Sequence, residues 1–125
     1  MPDWNVLLVD DEEEFANTLA ERLTIRGVRV RTAHDGESAI EMVNDDPPHV
    51  VVLDVLMPGM GGLDVLRMIK SIHPETQVIL LTGQGSTRGG MDGMKHGAFD
   101  YLMKPVKIEE LLAKLKEAVA STESK

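Results

Sequence analysis

Three short runs, Val6-Leu7-Leu8-Val9, Val50-Val51-Val52-Leu53 and Val78-Ile79-Leu80-Leu81, contain no polar residue and are rich in β-branched side chains. A strand with one solvated face alternates apolar and polar residues. Runs that are apolar on both faces fit parallel strands covered by helices on either side, so these three belong at the centre of a sheet. Two further runs, Val28-Arg29-Val30-Arg31 and Phe99-Asp100-Tyr101-Leu102, do alternate, which suits strands at the edges.

Helical spacing fills the intervals. Phe15, Leu19 and Leu23 fall four apart and stop at Gly27, a natural C-terminal cap. A second helix is expected around Ser38 to Asn44, introduced by Asp35-Gly36 and closed by Pro47-Pro48; a third carries Leu63, Leu66 and Ile69 and halts before Pro74. The fourth, roughly Thr87 to His96, contains Gly89, Gly90 and Gly93, each costing up to about 1 kcal/mol relative to alanine, and should be the least stable. The last repeats apolar residues at Ile108, Leu111, Leu112, Leu115 and Val119, and is expected to give way to a polar tail, Ser121 to Lys125, that is either a terminus or a severed linker. Five strands alternating with five helices imply an α/β fold: a parallel, doubly wound (βα)5 sheet built from right-handed crossovers. With the alternating strands at the edges, the order is 2-1-3-4-5, the flavodoxin-like arrangement, whose ligands sit at the carboxyl ends of the strands.

At 125 residues the chain reads as one domain, residues 1–125 with a core of about 4–120. No stretch approaches the roughly 18 consecutive apolar residues of a membrane span. The start, Met1-Pro2-Asp3-Trp4, lacks the basic opening of a secretory signal, and a cytoplasmic location is expected. Cysteine is absent and His34, His49, His73 and His96 are scattered, which excludes disulfides and thiolate metal sites and offers no local histidine pair. A formal charge of −8 without a basic patch argues against direct nucleic-acid binding.

The strand ends carry the chemistry. Strand one ends in Asp10-Asp11, strand three in Asp54, strand four in Thr82, and Lys104-Pro105 follows strand five. In the inferred order these ends are neighbours, so three carboxylates, a hydroxyl and an ammonium converge on one shallow crevice. Clustered carboxylates raise one another's pKa unless a divalent cation neutralises them. Magnesium suits the set, because it takes oxygen ligands and commonly binds through one or two carboxylates plus a phosphoryl oxygen; manganese is the alternative ion. A carboxylate can act as a nucleophile toward phosphorus, with metal and lysine spreading the developing charge, and Asp54 is the natural nucleophile. Thr82 can donate to a phosphoryl oxygen, and Gly83 leaves the backbone open beside it.

Val9-Asp10-Asp11-Glu12, Leu53-Asp54-Val55-Leu56-Met57-Pro58-Gly59, Leu81-Thr82-Gly83 and Lys104-Pro105, in this order and each at a strand end, resemble the motifs of bacterial response-regulator receiver domains across nearly the whole chain. The resemblance implies that Asp11, Asp54 and the Leu56 carbonyl bind magnesium directly, and that Asp10 does so through water. It implies that Asp54 accepts the phosphoryl group, that Thr82 and Lys104 contact its oxygens, and that the peptide before Pro105 is cis. Tyr101 would be the aromatic that swings inward when Thr82 moves, although a half-buried edge-strand tyrosine with its hydroxyl in water fits the sequence equally well. The implied phosphodonor is a phosphohistidine on a sensor histidine kinase or histidine phosphotransfer protein. The output would pass through the fourth helix, strand five and fifth helix to an output domain, a target protein or a dimer partner. Leu56 and Gln84, beside the site, bear on how long the phosphoryl group survives.

Three other classes compete. A flavin or nucleotide carrier needs a phosphate-binding loop after strand one, where this chain has Asp10-Asp11-Glu12-Glu13-Glu14. A small-substrate phosphohydrolase using an aspartyl phosphate needs a general acid or base that nothing immediately beside Asp54 supplies. A non-phosphorylated docking module would not need every signature residue, and all are present. The reading is therefore a regulatory phosphoacceptor rather than an enzyme, with self-phosphorylation and autodephosphorylation its only chemistry.

Overall fold

A computed structural model describes residues 4–83 and 87–123. The apolar runs form the strands β1 (Asn5–Val9), β3 (Val50–Asp54) and β4 (Gln77–Thr82), flanked by β2 (Arg29–Ala33) and β5 (Asp100–Met103). All pairings are parallel and the order is β2-β1-β3-β4-β5, as the flavodoxin-like reading requires. The helices are α1 (Glu13–Ile25), α2 (Gly36–Asp45), α3 (Gly62–Ile72), α4 (Thr87–Lys95) and α5 (Ile108–Glu123).

Period-two alternation along the central strands divides the core in two. Val6 and Leu8, with Val52, Ile79 and Leu81, face Leu19 and Leu23 of α1 and Leu111 and Leu115 of α5. Leu7 and Val9, with Val51, Leu53 and Leu80, face Val43 of α2 and Val65, Leu66 and Ile69 of α3. Each fully buried aliphatic side chain contributes about 1.5–3 kcal/mol, which is why the three apolar strands govern the topology.

The edges depart from the sequence reading by small shifts. Strand β2 begins one residue later than expected and runs two further, because the Val28 N–H donates to Leu23 O in the turn closing α1, where Gly27 adopts φ 88°. Strand β5 is likewise displaced by one residue. The polar tail expected from Ser121 is instead helical as far as Glu123. The hydroxyls of Ser121 and Thr122 donate to the carbonyls of Ala118 and Val119, and Gln77 Nε2 donates to Ser121 Oγ at 3.0 Å, so small polar residues that read as a tail continue the last turn.

Candidate functional site

Because β1, β3, β4 and β5 are adjacent, their carboxyl ends bring the residues singled out in the sequence to one place. Asp10 is fully buried, Asp54 is 5% exposed, and Asp11 lies open to solvent. One carboxylate oxygen from each of Asp10, Asp11 and Asp54 lies within 4.8 Å of the others. The Lys104 ammonium enters this cluster, 2.9 Å from Asp10 Oδ2, 3.5 Å from Glu12 Oε1 and 3.6 Å from Asp54 Oδ2. Its backbone N–H donates to Thr82 O at 2.7 Å, which ties the end of β5 to that of β4, and the Lys104–Pro105 peptide is cis. Asp11, Glu12, Asp54, Leu56, Gly83 and Lys104 line a crevice of about 290 Å³. A larger open groove between α1 and β2 collects no comparable set of polar groups.

The electrostatics follow from burial. Desolvation, then the neighbouring Asp10 charge, push the Asp54 carboxyl up to about 6, against the opposing pull of Lys104 and the Leu56 N–H. Burial alone would lower the pKa of Lys104, but the hydrogen bond to Asp10 and the charges of Asp54, Asp10 and Glu12 outweigh it and the net direction is upward. Lys104 alone therefore does not neutralise the carboxylates. Such a set of hard oxygen donors, crowded and short of positive charge, fits a divalent cation of the magnesium kind. Asp10 is committed on both oxygens, Oδ1 accepting from the Glu12 N–H at 2.9 Å and Oδ2 pairing with Lys104. Thr82 Oγ1 is buried with no hydrogen-bond partner among the described residues, an unusual state for a hydroxyl at a strand end.

Sequence reading missed the groups that hold this arrangement. His34 Nδ1 donates to the Asp10 carbonyl at 3.1 Å, from the segment after β2. Gly62 opens α3 against the end of β3, where a side chain would collide with the Asp54 carbonyl and Val55 Cα, so only glycine lets the loop after Asp54 close so tightly. Phe15 packs beside Lys104. Glu12 is the N-cap of α1 and makes no side-chain capping bond. Leu56 is 68% exposed, and its N–H reaches Asp54 Oδ1 only at 3.4 Å. Tyr101 is half-buried outside the crevice, against α4, and Gln84 lies outside the described residues.

A 2-1-3-4-5 sheet with an acidic triad, a threonine and a lysine at its carboxyl edge defines a phosphoacceptor switch module of two-component signalling. Residues 6–116 match the family model of the response regulator receiver domain, and the chain belongs to that family. Response regulator MprA of Mycobacterium ulcerans (strain Agy99) is 38% identical over 117 residues, covering 94% of this chain and 50% of that protein. The chain spans about half the length of the curated relatives it matches. Among solved structures, the receiver domain of NtrX from Brucella abortus superposes with a TM-score of 0.89 at 34% identity, covering 93% of this chain and 98% of that one. A receiver domain protein from Clostridium thermocellum gives 0.90 at 34% identity, with coverage of 94% and 95%. No helix among the described residues is long and apolar enough to cross a membrane.

Proposed function

We propose that Asp54 is the phosphoacceptor of this domain, and that it takes its phosphoryl group from a phosphohistidine on a sensor histidine kinase or histidine phosphotransfer protein. The observation that carries the reading is the Asp54 carboxylate, nearly buried yet 3.6 Å from the Lys104 ammonium and open to the same crevice. An Asp54 oxygen attacks phosphorus, the P–N bond to the imidazole breaks, and the imidazole leaves with the bonding pair and takes up a proton. Lys104 moves from its carboxylate partners toward the oxygens of the transferred group, and the buried Thr82 hydroxyl, which has no partner among the described residues, donates to one of them. Magnesium, or manganese in its place, would be held by Asp11, Asp54 and the Leu56 carbonyl, with Asp10 acting through water, and would supply charge neutralisation at the phosphoryl oxygens.

Return to the resting state is hydrolysis of the acyl phosphate, so the module is a regulatory phosphoacceptor whose chemistry is confined to its own side chain. Its location would be cytoplasmic. The face formed by α4, β5 and α5 carries the change to an output domain, a target protein or a second copy. Incubation with acetyl phosphate and magnesium, followed by mass spectrometry, should show one phosphoryl group per chain, on Asp54, and none after chelation. An Asp54→Asn variant that is phosphorylated as readily as the parent would overturn this assignment.

A further inference from the structure

Lys104 also has an uncharged neighbour, Phe15. Its ammonium stands 4.5 Å from the centroid of the Phe15 ring, within the range of a cation–π contact. Phe15 lies in the first turn of α1, half-buried, and packs against the core cluster that includes Leu19 and Leu111. The ring is thus braced from below by the core while presenting itself to the ammonium. The contact joins residues 89 positions apart in the chain, at the one cation that enters the crevice among the described residues.

The carboxylates around Lys104, those of Asp10, Glu12 and Asp54, do not give it a constant support. Asp10 and Asp54 belong also to the cluster whose charge a divalent cation would claim, Asp54 is the group that would carry the phosphoryl, and Glu12 is a solvent-exposed partner at 3.5 Å, so the carboxylate contacts of this flexible side chain would be weakened or exchanged during the reaction. A ring face competes with none of them, carries no charge to repel a phosphoryl group, and attracts the ammonium whichever carboxylates are engaged. We propose that Phe15 is a positioning residue, whose π face keeps the Lys104 ammonium over the crevice while the carboxylates change partners. The inference rests on the role given above to Lys104 and concerns how that role is maintained. An aliphatic residue would satisfy the apolar spacing of α1 equally well, so packing alone does not explain why an aromatic face is turned to the cation.

The test uses the 125-residue chain with Phe15→Leu, Phe15→Met and Phe15→Tyr. Two quantities are measured: the rate of Asp54 phosphorylation by acetyl phosphate at saturating magnesium, and the NMR shifts of the Lys104 side-chain protons, which a nearby ring moves upfield. Phe15→Leu and Phe15→Met should each slow phosphorylation roughly three- to tenfold and return the Lys104 shifts toward those of a solvated lysine, while Phe15→Tyr retains both. Leucine and methionine are both smaller than phenylalanine, so urea unfolding of each variant measures the loss of packing separately from the loss of the ring. Parental rates in the leucine and methionine variants would overturn the proposal, as would a tyrosine variant as slow as they are. If the parent is not phosphorylated on Asp54 at all, the underlying reading fails and takes this one with it; a phosphorylated parent with indifferent variants sinks this inference alone.

Discussion

The ring of Tyr101 fills the place in which a side chain at position 90 would stand: a Cβ on Gly90 would lie 2.5 Å from both Cγ and Cδ2 of that ring. Tyr101 is the register partner of Leu80 in the sheet, and Gly93, one turn along α4, receives Leu80 in the same manner. At both points the sheet's side chains meet bare helix backbone. The glycines do lower the intrinsic stability of α4, but they are also what allows the helix to sit over this pair. Tyr101 and α4 are therefore in direct contact, which would couple the ring to the switch face proposed above.

Gly90→Ala should lower stability by roughly 1 kcal/mol, although the same exchange in an unhindered helix interior stabilises by about that amount. Tyr101 is the sole tyrosine, so its ring resonances report any displacement without ambiguity. In a Tyr101→Ala background the Gly90→Ala change should become stabilising, as a double-mutant cycle of urea midpoints would show. Equal costs in both backgrounds would mean that the ring is not the obstacle.

Lys104→Met should destabilise the metal-free protein by about 2–3 kcal/mol. It leaves the fully buried Asp10 without its 2.9 Å partner and exposes Asp54 to unrelieved repulsion, while the partial exposure of Lys104 keeps the cost below that of a wholly buried pair. Magnesium should recover part of this loss while leaving phosphorylation slow. Urea unfolding with and without the ion separates the two effects, and a neutral substitution would show that the ion pair contributes nothing to the fold.

The Asp54 carboxyl, raised from an ordinary 3.8 to about 6, gives stability a definite pH dependence. Between these values the folded protein holds a proton that the unfolded chain has released. The stability conferred by the neutral form is thus complete below pH 3.8 and is lost as pH rises through 6, by about 3 kcal/mol at most at roughly 1.4 kcal/mol per pH unit. Without divalent ions, Asp54→Asn should therefore melt higher than the parent at pH 7.5 and nearly level with it at pH 4. Phosphorylation, which needs the carboxylate, should fall off below about pH 6, with the break moving lower as magnesium is added. Parallel melting curves for parent and variant across this range would contradict the raised pKa.

The fold was legible because its strongest signal, three apolar runs, coincides with the strands buried on both faces. The polar site was legible for a related reason: parallel topology sends each strand's last residue to the same edge, so Asp10, Asp54 and Thr82 needed only the strand order to be brought together. Contacts set by packing were not legible. Phe15 has the spacing of an ordinary core residue, and nothing local says that its ring faces a lysine 89 residues on. Gly62 and Gly90 look like loop and helix-weakening glycines until the atoms opposite them, the Asp54 carbonyl and the Tyr101 ring, are known. Ser121 and Thr122 read as tail because their helical bonding is to carbonyls one turn back, which composition does not reveal.

Hydrogen exchange should locate the response to phosphorylation in α4 and β5. Elements that move are drawn from the less stable parts of a fold, and α4 combines glycines at 89, 90 and 93 with a seating that depends on Tyr101. Thr82, at the end of β4, has a buried hydroxyl without a partner among the described residues, and a phosphoryl group on Asp54 would offer it one. Thr82 and Tyr101 lie on the same face of the sheet, through the Thr82–Met103 and Leu80–Tyr101 pairings, so a hydroxyl drawn inward would alter packing on the face that carries the ring, and any motion of the ring would be passed to Gly90. The equilibrium shifts only because the phosphoryl group makes contacts in one arrangement that it lacks in the other. With beryllofluoride and magnesium as the phosphoryl mimic, protection should change chiefly between Gly83 and Tyr101, and α2, whose N-terminus is fixed by the 2.8 Å bond from Ser38 N to Asp35 Oδ1, should change little. Equal or larger changes in α2 would place the output surface on another face and refute the coupling of Tyr101 to α4.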